Sequence, residues 1–261
     1  VDMATYKSEF LSHYYEGKLR PRHAYAMGLL HIWARFASLM PGLVNFVGRA
    51  PVIKNVVKWA GGMSPKRTMP QFAPQTFRAG WINRGPANEG KPPVVLWVDT
   101  FNNHFHPEIL QAAVEVLEDS GHKIILPEKK LCCGRPLYDF GMLDHAKKML
   151  AEILVSMRQE IRADISVVGL EPSCVSVFRD ELKRLFPYDE DAHRLAKNTM
   201  TISEFLIEHS QFKFPKLNRK AVVHGHCHDK AVMKMKCEAE LYKSIGLEFE
   251  ILDSGCCGMA G

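Results

Sequence analysis

Between Gly17 and Asn88 the chain contains no Asp and no Glu. The same stretch carries eleven basic residues: Lys18, Arg20, Arg22, Arg35, Arg49, Lys54, Lys58, Lys66, Arg67, Arg78 and Arg84. Since the formal net charge of the whole chain is only +5, the remainder is net acidic, and the N-terminal third is a separate functional surface. Also missing is an apolar run of about 18 residues, the length a membrane span needs. Arg35 and Arg49 break the longest uncharged stretches near the N-terminus. No Gly-rich phosphate loop is present, so the chain has no independent means of binding a dinucleotide. No signal peptide precedes the first helix, and no nucleic-acid-binding motif accompanies the basic residues. Val1 in place of an initiating Met reads as the start of a fragment or a processed chain.

Cysteine is sparse but oddly placed. There are seven, an odd number, and four of them form the vicinal pairs Cys132-Cys133 and Cys256-Cys257. Adjacent Cα atoms across a trans peptide lie about 3.8 Å apart, whereas an ordinary disulfide needs about 4.4–6.8 Å. Vicinal bridges would be strained, which argues against a secreted disulfide framework and points to a reducing compartment with thiolates kept for ligation or redox work.

The pattern along the chain divides it into four parts. Residues 1–62 form a basic helical extension, with helices expected over 3–16, over Ala24 to Met40, and onward to Ala60 with a break at Pro51. Outside the polar stripe of His31, Arg35 and Ser38, the middle helix is apolar all round and requires cover. Residues 63–93 are Gly- and Pro-rich and read as a linker. From Val94 onward strands alternate with helices, the pattern of a parallel α/β sheet. This part divides into a first half, 94–186, and a second half, 187–261.

Both halves contain the same unit. In the first, Val94 to Val98 leads to Asp99, an apolar-periodic helix, Gly121, a second strand and Cys132-Cys133-Gly134. In the second, Val222-Val223 leads to Cys227, a helix, Gly246, a second strand and Cys256-Cys257-Gly258. A further strand in the first half ends at Glu171-Pro172-Ser173-Cys174. Asp99, Cys174 and Cys227 thus fall where strands hand over to helices, the edge at which open parallel sheets bind ligands. Two successive thiols splay to different sides of the backbone, and the following Gly permits the left-handed turn that bends the chain around a bound group. Repetition of this arrangement at matching strand ends points to soft-metal or iron–sulfur chemistry in two pseudo-symmetric halves.

The residues that carry this pattern resemble a known family. They are Val1 to Lys7, Leu96 to Phe101, Leu131 to Pro136, Glu171 to Cys174, His224 to His228 and Gly255 to Gly258. They resemble the Cys-Cys-Gly domain found in the cysteine-rich subunit of heterodisulfide reductase and in the iron–sulfur subunits of glycolate and lactate oxidases. They are particularly similar to the C-terminal part of fused FAD-dependent D-2-hydroxyacid dehydrogenases of the D-lactate, glycolate or 2-hydroxyglutarate type. The resemblance implies a 4Fe-4S type cluster, with Cys227, Cys256 and Cys257 anchoring one centre and Cys132, Cys133 and Cys174 anchoring, or remaining from, another. Asp99 stands where the repeat places Cys227, so the first half supplies three thiolates and at best a carboxylate. The second half lacks its closing cysteine, because the chain stops at Gly261. The resemblance also implies a preceding ferredoxin-like domain and a flavin domain in the parent chain, with FAD bound only there. The setting would be cytoplasmic, with peripheral contact to the inner membrane or a quinone-linked acceptor as an option.

Other readings stay open at this point. The cysteines could be buried small hydrophobes, or His224, His226 and His228 could join Cys227 in a zinc site, with His226 the foremost nitrogen ligand. The histidines could instead donate hydrogen bonds that tune a cluster, and Asp99 could simply cap a helix. Cys237 has no counterpart in the first unit and reads as structural. The basic helices could dock on the parent flavoprotein or lie on an anionic membrane. A cluster that cleaves a disulfide directly is the remaining enzymatic alternative.

Overall fold

A computed structural model describes residues 3–85, 87–210, 212–253 and 255. Helices α1 (Met3–Tyr14), α2 (Arg22–Gly28), α3 (Leu30–Ala37), α4 (Pro41–Arg49) and α5 (Pro51–Ala60) come first, followed by the short α6 (Phe77–Trp81). Pro41 and Pro51 each open a helix, where a missing N–H costs nothing. The single helix expected from Ala24 to Met40 is instead two: Leu29 leaves helical geometry (φ −95°, ψ 19°) directly after Gly28, whose helix propensity is poor. The expected linker also contains α6, capped by the Thr76 side chain accepting from the Ala79 backbone N–H.

The remaining elements alternate as the pattern required. They are β1 (Pro93–Trp97), α7 (Thr100–His104), α8 (Pro107–Asp119), β2 (Lys123–Ile125), α9 (Arg135–Asp139), α10 (Leu143–Ser156), α11 (Arg158–Arg162) and β3 (Val167–Gly169). Then α12 (Pro172–Ser176) passes through a π-helical turn, Val177–Glu181, into α13 (Leu182–Leu185). Next come α14 (Glu190–Asn198), β4 (Thr199–Thr201), α15 (Ile202–His209) and β5 (Lys220–Val223). A second π-helical turn, Asp229–Met233, leads to α16 (Lys236–Ser244) and β6 (Glu248–Ile251).

The chain forms two compact units. One comprises Val1–Gly85, Thr100–Gln111 and Gly134–Ala151. Its core gathers Ala24, Leu137, Tyr138, Met142 and Ala146. The Arg20 guanidinium fastens the extension to this core, donating to the Phe140 carbonyl at 2.7 Å and the Gly141 carbonyl at 2.8 Å.

The other unit, Pro86–Asp99, Ala112–Cys133 and Glu152–Gly261, holds both sheets. Strands β2-β1-β3-β4 form one all-parallel sheet, and β5 and β6 pair in parallel in a second. Val94, Val95, Leu96, Val167 and Val168 are all buried, as strands covered on both faces must be. Trp97 meets Phe178 edge to face, with centroids 4.8 Å apart. The repeat is visible in the backbone: Gly121 (φ +88°) and Gly246 (φ +69°) occupy equivalent left-handed positions just before β2 and β6. The fold is α/β with parallel sheets, as the sequence indicated.

Candidate metal centre

Four of the predicted ligand residues lie at the C-terminal edge of the four-stranded sheet. Asp99 follows β1, Cys132 and Cys133 follow β2, and Cys174 lies in α12 just beyond β3. All four are buried. Cys133 Sγ and Cys174 Sγ are 3.0 Å apart, although 41 residues separate them in the chain. Parallel pairing of β1 with both β2 and β3 causes the encounter, since it sends all three strand ends the same way. Glu171 caps α12 by accepting from the Ser173 N–H at 3.2 Å. Gly134 is left-handed (φ +79°), which is the turn a Cys-Cys-Gly motif requires.

The charges that act on Cys174 are negative. The contact with Cys133 pulls the Cys174 thiol down, but burial and the charges of Asp99, Cys132 and Glu171 outweigh it and hold the thiol above its usual range. Clustered buried sulfur with a buried carboxylate at the same sheet edge is a donor set suited to a soft cation. A soft cationic group fits it, because coordination replaces the proton that each thiol would otherwise keep.

The second predicted centre is represented by Cys227. Ligand atoms of His226, Cys227 and His228 all lie within 4.8 Å of one another. The two imidazoles stack with centroids 5.1 Å apart, and His226 Nδ1 accepts from the His228 backbone N–H at 3.3 Å. Among the described residues this is the single His/Cys/Asp/Glu group of three with metal-binding spacing. His224 falls outside that group. Cys256 and Cys257 lie outside the described residues. The π-helical turn after Cys227 packs on α12, so the segments following Cys227 and carrying Cys174 are neighbours.

Beside that turn lies a buried polar network that the sequence pattern did not announce. Arg179 donates from Nη1 to Glu204 Oε1 at 2.8 Å and from Nε to the Thr199 carbonyl at 2.8 Å. Thr201 Oγ1 donates to Glu238 Oε1 at 3.2 Å. Asp229 is pushed up to about 6, first by burial and then by the charges of Glu238 and Glu204, against the pull of Arg179. Thr201-x-x-Glu204, which forms a capping box, was the one signal in the sequence that could have located this element. Cys237 contacts Glu208 at 3.7 Å.

Parallel strands delivering buried thiols to one edge define a cysteine-rich α/β domain. The family model for the CCG cysteine-rich domain matches residues 99–179, which contain Asp99, the first cysteine pair and Cys174. The chain is 28% identical over 225 residues to an anaerobic glycerol-3-phosphate dehydrogenase subunit of Escherichia coli K12, covering 84% of this chain and 57% of that protein. It therefore spans little more than half of that relative's length. It is 31% identical over 178 residues to lactate utilization protein A of Bacillus velezensis, covering 64% of this chain and 73% of the relative. The corresponding protein of Halalkalibacterium halodurans is 30% identical over 177 residues, covering 64% of this chain and 71% of the relative. The chain belongs to the cysteine-rich family that includes lactate utilization protein A.

Proposed function

We propose that this chain is an iron–sulfur electron-transfer module of an FAD-dependent dehydrogenase acting on a D-2-hydroxyacid, passing electrons from flavin toward an external acceptor. The observation that carries the reading is the 3.0 Å approach of Cys133 and Cys174, buried with Cys132 and Asp99 at one sheet edge. Cys132, Cys133 and Cys174 would hold one group. Cys227, with Cys256 and Cys257, would hold a second. Bound there, iron–sulfur centres supply reversible one-electron storage. The chain's own contribution is to exclude water around the first site and to set the local field through Asp99 and Glu171. His226 and His228 flank Cys227, where an imidazole N–H can orient or tune a sulfur ligand.

Names of the relatives support the outline: one is a dehydrogenase subunit and the other takes part in lactate utilization. The flavin would reside on a flavoprotein partner or a parent-chain domain, with a ferredoxin-like domain beside it. Anaerobic purification followed by iron and acid-labile sulfide analysis, with EPR, tests the reading. We expect iron with sulfide, and loss of one signal set in Cys133→Ser and Cys174→Ser. Zinc alone would favour the mixed histidine–cysteine site at His226, Cys227 and His228. Dithiol-dependent turnover by the isolated chain would favour the disulfide-cleaving alternative.

A further inference from the structure

Lys58 is only 7% exposed, yet among the described residues no carboxylate meets its charge. Its Nζ donates to the Pro65 carbonyl at 3.0 Å, a neutral acceptor that occupies one of the ammonium donors. A lysine is almost never buried this far without an ionic partner. It lines a cavity of about 220 Å³ between α4, α5 and residues 68–72, together with Arg49, Lys54, Asn45, Thr68 and Gln71. Lys54 and Lys58 stand four residues apart on α5 and so share one face, where like charges repel. Arg49 adds a third cation, and among the described residues no acid lines the cavity. This grouping is costly unless an anion joins it.

The other polar groups hold the cavity open and turn donors toward a ligand. Asn45 staples the covering segment to α4: its Nδ2 donates to the Phe72 carbonyl at 2.8 Å, and its Oδ1 accepts from the Phe72 N–H at 2.9 Å. Arg49 Nη2 donates to Gln71 Oε1 at 2.5 Å. That bond uses the acceptor end of the Gln71 amide and leaves its NH₂ as a donor, beside the remaining guanidinium N–H groups and the Thr68 hydroxyl. A monocarboxylate would offset one of the cations. A phosphate dianion offsets more and offers oxygen acceptors in several directions, which suits ammonium point charges and a guanidinium fork together. The cavity is smaller than the roughly 300–1,000 Å³ typical of pockets for drug-sized ligands, so the ligand must be compact. We infer that this cavity binds the dianionic phosphate group of a small soluble phosphate monoester, with Lys58 as the buried anchor and Arg49 and Lys54 supplying the remaining charge. The site uses none of the cysteines and does not rest on the metal-centre reading.

Isothermal titration calorimetry of the full chain tests this, with inorganic phosphate and methyl phosphate as ligands and sodium chloride at matched ionic strength as the blank. We expect saturable binding of both phosphates, and a thermal unfolding midpoint that rises with their concentration but not with chloride. Lys58→Met keeps most of the aliphatic stem and removes the charge, and should weaken binding at least about tenfold. Lys54→Gln, at a half-buried position, should weaken it to a similar degree, so the test stands even if Lys58→Met does not fold. Lys66→Gln removes an exposed cation outside the cavity lining and should leave the affinity unchanged. Absence of saturable binding, equal affinity in Lys54→Gln and the unsubstituted chain, or tighter binding of malonate than of phosphate would overturn the inference. So would a response confined to phosphatidylglycerol vesicles, since the phosphate recognised would then belong to a lipid.

Discussion

Cys174 and Cys237 are both thiols held above their ordinary ionisation range, for different physical reasons. Around Cys174 the contact with Cys133 works against burial and against Asp99, Cys132 and Glu171. Cys237 is pushed up to about 11, by burial first and then by Glu208 and Glu204. Its folded value lies above its unfolded one, so its stabilising contribution is complete below the unfolded value and disappears as pH rises through about 11. At pH 8 only about one Cys237 in a thousand is thiolate. Iodoacetamide should therefore label it far more slowly than glutathione at pH 8, with the rate climbing about tenfold per pH unit up to about pH 10; mass spectrometry of tryptic peptides follows it. Labelling at the glutathione rate would refute the suppressed-thiol account. The sequence marked Cys237 as structural because the first unit offers it no counterpart. It could not reveal Glu208, which reaches Cys237 from α15 across 29 residues of chain.

At the scale of the element, β4 was the feature hardest to see. Thr199-Met200-Thr201 is too short for any two-residue alternation to register, yet it completes the four-stranded sheet by pairing with β3. Its anchor is Arg179, which bonds both the Thr199 carbonyl and Glu204. Arg179→Ala should leave the Glu204 carboxylate largely buried without its cation, costing about 2–3 kcal/mol in urea unfolding after allowance for partial exposure. Gly141 plays a similar part in the other unit. It is left-handed (φ +66°), and a Cβ there would lie 2.6 Å from the Ser12 nitrogen. Gly141→Ala should cost about 1–3 kcal/mol and loosen α1, seen as faster proteolysis between Met3 and Tyr14. The helix expected from Ala24 to Met40 shows the opposite error: apolar periodicity continued through Gly28 and Leu29, where local backbone geometry does not.

In the molecule as a whole, the duplicated strand–helix–Gly–strand unit was legible because its landmarks are local. Gly121 and Gly246 adopt matching left-handed turns, and each is followed by a strand that pairs in parallel with the strand opening its unit. The meeting of Cys133 with Cys174 was only partly legible. Strand ends predicted the edge at which both would lie, but strand order decides which ends are neighbours, and order is not written in periodicity. The second Cys-Cys pair lies outside the described residues, so the proposed second centre rests on Cys227 and the repeat.

The central claim is that thiols from separate strands form a seat for an iron–sulfur group. Iron K-edge X-ray absorption on the anaerobically loaded full chain tests it most directly. The account predicts a first shell of sulfur around iron together with iron–iron scattering, both diminished in Cys133→Ser with Cys174→Ser. A first shell of nitrogen and oxygen alone, unchanged by those substitutions, would contradict it.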